Sequence, residues 1–592
     1  MRWLAIIVVI LFLPLRAQSA STSPQIKWQD WSNDVFQKAK QQHKFVLLDL
    51  GTQWCHWCHV MDDQTYANDQ VIALINASYV PVRVDADARL DLAGRYEDYG
   101  WPATIVFNPS GGEIVKRRGY LAPNEMISML RAIIADPTPG PSVVAPGSVE
   151  FTRQPSLDPK VLAELLRRHA DTFDDAQGGW GRGQKFLDAN SVEWSLRQAP
   201  IDEKAARMAR LTLDGELNLI DPAWGGVYQY STDNDWKHPH FEKIMQMQSQ
   251  DLRTYALAYA EWHEPRYLTA AQSIHKFLVE FLLSPDGAFY TSQDADLIDG
   301  VHSTDYFKLD AAHRRAQGIP HIDKHIYSRE NGWAIAALVS CYEATSDQKA
   351  LREAITAATW IDAHRNLSGG GFSHDQKDLA GPFLGDSLAM GQAFLELYTA
   401  TADRAWLKRA QDASDFLAAH FVSAASPGVM TSDAHSDGPL APTQELDENV
   451  GVARWANLLF QYTGRQVDRA LAETAMKYLA TPDVALSRNA QVAGLLLANS
   501  ELAAPALHIA VVGSKTSPVA QSLFVAAIAA ATGYKRVEWI DFSEPALPNG
   551  NVEYPHFARP AAFVCNAATC STPAYSSEEL ARKISRALAA AR

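Results

Sequence analysis

From Lys160 onward the chain reads as helix after helix, and this constrains its fold more than any other feature. Ten segments carry apolar residues at i, i+3/i+4 spacing, from "KVLAELLRRHADTF" to "RALAETAMKYLA". A weak repeat punctuates them: Gly178-Gly179-Trp180, Gly225-Gly226-Val227-Tyr228, Gly287-Ala288-Phe289-Tyr290, Gly370-Gly371-Phe372 and Gly428-Val429-Met430. Each follows a helical segment, where glycine supplies a left-handed turn and the next apolar residue packs back. Helical hairpins in such a series predict an all-α (α/α)6 toroid over residues 159–502, with its recurring loops gathered around one mouth. Those loops, among them "STDNDW", "TSQDAD" and "SHDQKD", are acidic and aromatic. Asp233, Asp235, Trp236, His240, Glu242, Asp294, Asp296 and Asp386 stand out. Paired carboxylates are what glycoside chemistry requires, whereas Asp also caps helices and makes turns. The segment "HPHFEK" (238–243) sets two His and a Glu before a helix, beside Trp236. The residues expected to form a toroid pocket are therefore Trp236, His240, Glu242, Asp294 and Asp296.

The N-terminal part has a different grammar. "KFVLLDLGTQ" (44–53) is a strand that ends in turn residues, and Cys55-His56-Trp57-Cys58 follows at once. A helix broken near Asn68, a second strand "VPVRVDAD" (80–87), a further helix, a β-hairpin across Ser110-Gly111-Gly112 and a closing helix "PNEMISMLRAII" complete the unit. That is the thioredoxin order, expected over residues 24–136. Trp101-Pro102 precedes the third strand, where this fold carries a cis-proline beside its cysteines. Cys55 then sits at a helix N-terminus, where free N–H groups and the dipole favour a thiolate. It is the expected nucleophile, with Cys58, further inside, as the resolving thiol and His56 as a modulator of the thiolate. Extended to His59, the motif also reads CxxCH, the attachment site of a c-type haem. Such haem domains are helical, whereas this motif leaves a strand, so haem is disfavoured. Two Cys and two His crowded along one helix suit a tetrahedral zinc poorly. No cofactor or metal is expected.

The remaining features bound the setting. Leu4–Leu15 is an apolar run after Arg2, followed by the small residues "AQSA", so residues 1–20 read as a secretory signal peptide and the protein as periplasmic or secreted. No later segment is apolar enough to span a membrane. A formal net charge of −15 argues against a nucleic-acid partner. Residues 137–158 are a Pro-rich linker, and residues 503–592 read as a small α/β subdomain. The five cysteines are too few for a disulfide scaffold. Cys565 and Cys570 suggest a local structural disulfide, or else a second redox pair serving Cys55 and Cys58. Cys341, in "AALVSCYEA", reads as a small buried hydrophobe.

Taken in order, "CHWCHVM" (55–61), "GWP" (100–102), "GGWGRGQKF" (178–186), "DNDWKHPHFEK" (233–243), "GAFYTSQDAD" (287–296) and "FVCNAATCSTP" (563–573) resemble the spermatogenesis-associated protein 20-like thioredoxin-domain proteins. The resemblance covers nearly all of the chain beyond its leader. It implies a thioredoxin fold joined to a domain similar to six-hairpin glycosidases. Three departures stand out: Trp54 precedes the first Cys in place of a small residue, "QKFL" (184–187) lacks prolines, and "LIDG" follows Asp296. The expected function is an exported thiol–disulfide oxidoreductase acting on a redox partner protein, with a toroid that binds a glycan, small molecule or partner. The alternative is a carbohydrate-active hydrolase or epimerase with the thioredoxin unit as an accessory module.

Overall fold

The computed structural model describes residues 25–590 apart from 33, 144–146, 148, 378–379, 436–439, 551 and 567–568. The expected leader, residues 1–20, lies outside the described residues. The chain is multidomain, in the expected order: a thioredoxin-like α/β domain, an (α/α)6 toroid and a small α/β subdomain.

In the first domain four strands lie in the order β2-β1-β3-β4. β1 (Phe45–Gly51) runs parallel to β2 (Tyr79–Asp85) and antiparallel to β3 (Ala103–Phe107), which pairs with β4 (Glu113–Arg118). β1 reads as a continuous apolar run because both of its faces are covered. Val46, Leu48 and Leu50 pack with Leu92 and Tyr96 on one side, and Leu47 with Ile75 and Leu130 on the other. Asn68 caps the helix Asp69–Ser78 through the amides of Gln70 and Val71, which accounts for the break read there. The Trp101–Pro102 peptide is cis, as expected.

Among the described residues, twelve main helices of the toroid alternate between an outer and an inner ring, with three short ones in the connections. The inner helices are Ala189–Gln198, Met245–Trp262, Ser328–Thr345, Leu384–Thr401, Leu446–Thr463 and Ala493–Ala503; each packs on the next and the last packs on the first. Tight turns lead from inner to outer helices, and Asp202, Asp347 and Asp403 cap the outer ones by accepting from main-chain amides. After an outer helix the chain doubles back through a pinched bridge, such as Ile220 with Val227 or Val422 with Val429. The glycines of the repeat sit in these turns. Gly225 has φ 77°, and a Cβ there would lie 2.3 Å from the Ser273 carbonyl oxygen, so no other residue fits. Long loops then return to the N-termini of the inner helices, and all of them reach the same end of the ring.

The thioredoxin-like domain sits on that end. The C-terminal sheet, with Leu507–Val512 between Lys535–Ile540 and Ala561–Cys565, closes the other. Lys535 Nζ donates to Glu343 Oε2 at 2.8 Å, and the Val537 amide donates to Tyr462 Oη at 2.8 Å, both near the C-terminal ends of inner helices. Cys565 and Cys570 are disulfide-bonded within this unit. Cys341 is buried in a helix, and burial pushes its thiol up to about 11. Among the described residues no helix is long and apolar enough to cross a membrane.

Candidate functional site

Cys55 caps the short helix His56–Met61 at its N-terminus: its sulfur lies 3.2 Å from the Cys58 amide, and the two cysteines are disulfide-bonded. Gly51 gives this pair room, since a Cβ there would come within 3.1 Å of Cys58 Sγ. Cys58 and Pro102 line one cavity of about 260 Å³ together with Asp49, Tyr66 and Arg83. Asp49 accepts from Tyr66 Oη and Arg83 Nε, both at 2.9 Å, and burial raises its carboxyl above the usual range. Sequence reasoning passed over this residue; its signal was a lone charge inside an apolar strand. One expectation is reversed. Cys55 is the buried cysteine, 4% exposed, and Cys58 is the half-buried one. The reason is the toroid, whose loops cover the helix end that carries Cys55.

Four of the five expected toroid-pocket residues lie in those covering loops and face the redox helix. His56 is buried, and its Nδ1 lies 2.8 and 2.9 Å from the two carboxylate oxygens of Asp296. The His56 amide donates to Glu242 Oε1 at 3.4 Å, and His240 Nδ1 bonds the other oxygen of Glu242. His59 Nε2 lies 3.0 Å from Asp294 Oδ2. Burial opposes a charge on His59, but the hydrogen bond and charge of Asp294 outweigh it and lift the imidazole to about 9. Asp299 brings a third ligand-type oxygen to this pair, all three atoms within 4.8 Å of one another. The arrangement satisfies itself as an ion pair. With the cysteines bonded to each other and His59 engaged by Asp294, these residues do not fit a thioether-linked haem.

Trp236 belongs elsewhere. Its buried indole packs with Leu219 and Val227 and donates to the Gln177 carbonyl at 2.8 Å, so it shapes a loop away from the redox helix. Asp233 and Asp235 hold the side chain of His238 at the surface, at 3.3 and 3.0 Å. Asp386 is buried against His374, at 2.8 Å. Here the turn and packing roles open to Asp prevail.

The lumen of the toroid is lined by residues the sequence reading did not select. A chamber of about 420 Å³ lies between the inner-helix N-termini and the thioredoxin-like domain, which contributes Trp54, Asp87 and Trp101 to its wall. Glu330, Trp333, Gln250, Gln392 and Glu448 line it from below, and it adjoins a second cavity of about 270 Å³ that shares Gln250, Trp333 and Gln392. Glu330 Oε2 and Glu448 Oε2 are buried without a hydrogen-bond partner among the described residues. Burial, reinforced by Glu445, holds the Glu448 carboxyl well above the usual range. Two struts fix the roof: Trp54 Nε1 donates to Asp87 Oδ2 at 2.6 Å, and His374 Nε2 donates to the Asp87 carbonyl at 2.6 Å.

These features define a thioredoxin-like domain with a Cys55–Cys58 pair, seated on the mouth of an (α/α)6 toroid. Residues 17–134 match the model of the thioredoxin-like DsbH family, described as a protein of unknown function, DUF255. The chain is 26% identical to spermatogenesis-associated protein 20 of Homo sapiens over 306 residues, 46% of this chain and 39% of that protein, and is a relative of it, as its motifs indicate. The match thus spans about two-fifths of that relative's length. Over 83 residues, 14% of each chain, it is 34% identical to thiol:disulfide interchange protein DsbD 2 of Pseudomonas aeruginosa. Among solved structures, the cellobiose 2-epimerase of Bacillus thermoamylovorans aligns with a TM-score of 0.44 at 13% identity, over 54% of this chain and 86% of that one.

Proposed function

We propose that the chain is an exported thiol–disulfide oxidoreductase that uses Cys55 and Cys58, with its toroid as the module that covers and presents the redox centre. One observation carries the reading: a cysteine pair at the head of a helix, in a pocket shared with Pro102 and with the buried carboxyl of Asp49. The likeness of this stretch to a thiol:disulfide interchange protein supports it, and the apolar leader supports export. In the reduced protein the Cys55 thiolate attacks a substrate disulfide. A sulfur–sulfur bond forms to Cys55, one substrate thiolate leaves, and Cys58 then attacks Cys55 Sγ to release the second substrate thiol. The buried carboxyl of Asp49 stands ready to take the Cys58 proton. Because toroid loops cover Cys55, a protein substrate requires the thioredoxin-like domain to lift from the mouth.

A second reading, a carbohydrate-active toroid, is favoured by the chamber itself. Three indoles and two carboxyls with unpaired oxygens suit a polyhydroxylated ring. One experiment separates the two. A Cys58→Ala variant should accumulate mixed disulfides through Cys55 in a periplasmic extract. No trapped species, together with sugar turnover, refutes the first reading in favour of the second.

A further inference from the structure

The imidazole between the two cysteines is held in an unusual way. His56 is 2% exposed and both oxygens of Asp296 face its Nδ1, at 2.8 and 2.9 Å. A carboxylate only accepts, so Nδ1 carries hydrogen. Asp296 is itself fixed, because its Oδ2 also accepts from the Gly300 amide at 2.9 Å. The other ring nitrogen, Nε2, is buried with no hydrogen-bond partner among the described residues. The His302 ring lies 4.0 Å from the His56 ring, centroid to centroid, and covers it. A buried polar atom left unpaired is costly, and an orienting carboxylate behind an imidazole is the arrangement that turns a histidine into a directed base.

We infer that Asp296, carried by the toroid, is a positioning residue of the redox centre, and that it sets the His56 tautomer so that Nε2 serves as proton acceptor and donor for Cys55. The inference rests on the oxidoreductase reading. Nε2 takes the Cys55 thiol proton, and the thiolate so formed attacks a substrate disulfide. The sulfur–sulfur bond to Cys55 forms, the substrate bond breaks, and the departing substrate thiolate takes the proton back from Nε2. Cys58 gives up its proton by way of the Asp49 carboxylate and attacks Cys55 Sγ; the bond from Cys55 to the substrate breaks and the second substrate sulfur takes that proton, so the protein dithiol is oxidised and the substrate disulfide reduced to two thiols. The titratable groups that face this centre are Glu242, Asp296 and His302 from the toroid loops, with His240 and Asp294 behind them, and Cys58 and His59 from the helix itself. The complete redox site therefore spans two domains whose residues lie 240 positions apart in the chain.

The test uses the full chain in a Cys58→Ala background. The Cys55 thiolate is titrated by its absorbance near 240 nm, which requires neither substrate nor reagent access. Asp296→Asn is isosteric but can donate, so it no longer forces hydrogen onto Nδ1. The expected result is a Cys55 midpoint raised by about one unit, since a worse-oriented imidazole stabilises the thiolate less, with the shift partly reversed in Asp296→Glu. With Cys58 restored, disulfide exchange should fall about 10- to 100-fold in kcat with little change in KM, and the pH–rate profile should move. An unchanged Cys55 midpoint overturns the inference even if exchange is slowed. Should Asp296→Asn lower the melting temperature, His56→Gln reads the same midpoint. A wild-type chain that performs no exchange, but whose midpoint still moves in Asp296→Asn, refutes the oxidoreductase reading alone.

Discussion

His374 ties the two large domains together, and its charge makes that tie dependent on pH. Its Nε2 faces the Asp87 carbonyl at 2.6 Å and its Nδ1 faces Asp386 Oδ1 at 2.8 Å. Both partners accept, so both ring nitrogens donate and the ring is an imidazolium. Burial opposes that charge, yet the carboxylate of Asp386 outweighs it and lifts the imidazole to about 9, from 6.5 for an ordinary histidine. A raised histidine contributes fully below its unfolded value, and the contribution is lost as pH rises through the folded value. The window is therefore pH 6.5 to 9. A rise of roughly 2.5 units at 1.36 kcal/mol each is worth about 3.4 kcal/mol at full effect, roughly 300-fold in an opening equilibrium, of which on the order of 100-fold is lost between pH 6.5 and 9.5. Native-state hydrogen exchange on the amides around Asp87 and His374, corrected for intrinsic rates, reads that equilibrium. The wild-type chain should lose on the order of 100-fold protection between pH 6.5 and 9.5, and His374→Gln should lose far less. Asp87, whose carboxyl burial and Asp85 push up to about 8, acts in the same direction, but it is common to both proteins and drops out of the difference. Equal pH slopes in the two proteins refute the reasoning.

Two further predictions concern parts around the redox helix. Trp54→Phe removes the indole donor to the half-buried carboxyl of Asp87, so stability should fall by about 0.5–1.5 kcal/mol, read by thermal unfolding with loss of protection at the domain junction. If Cys565 and Cys570 serve the C-terminal unit alone, Cys565→Ser with Cys570→Ser should cost roughly 2 kcal/mol of stability and leave disulfide exchange at Cys55 unchanged; a fall in exchange would make them a second redox pair.

The thioredoxin order was legible because each of its signals is local. A strand that ends in a turn, a cysteine pair, a capped helix and a proline before the next strand each follow from the conformational limits of a few adjacent residues. The ring of hairpins was legible for the same reason, through 3.6-residue spacing and glycines that alone fit their turns. Two inner helices escaped. Ala189–Gln198 is short and polar, and Ala493–Ala503 is apolar nearly all round, so neither shows the one-sided stripe on which such reading depends. These are the two that close the ring.

The function of the acidic loops was decided at another level. His240, Glu242, Asp294 and Asp296 belong to a mouth, and from the chain alone a mouth implies a ligand within the ring. In the folded molecule the thioredoxin-like domain occupies that mouth, and these groups become the partners of His56 and His59. Glu330 and Glu448, which line the lumen, look in the sequence like ordinary acids in the first turn of a helix. Local spacing dictates which elements form and how each is capped. It carries no information on which loop meets which cysteine across hundreds of residues, because that pairing is set by how three domains bury their surfaces against one another.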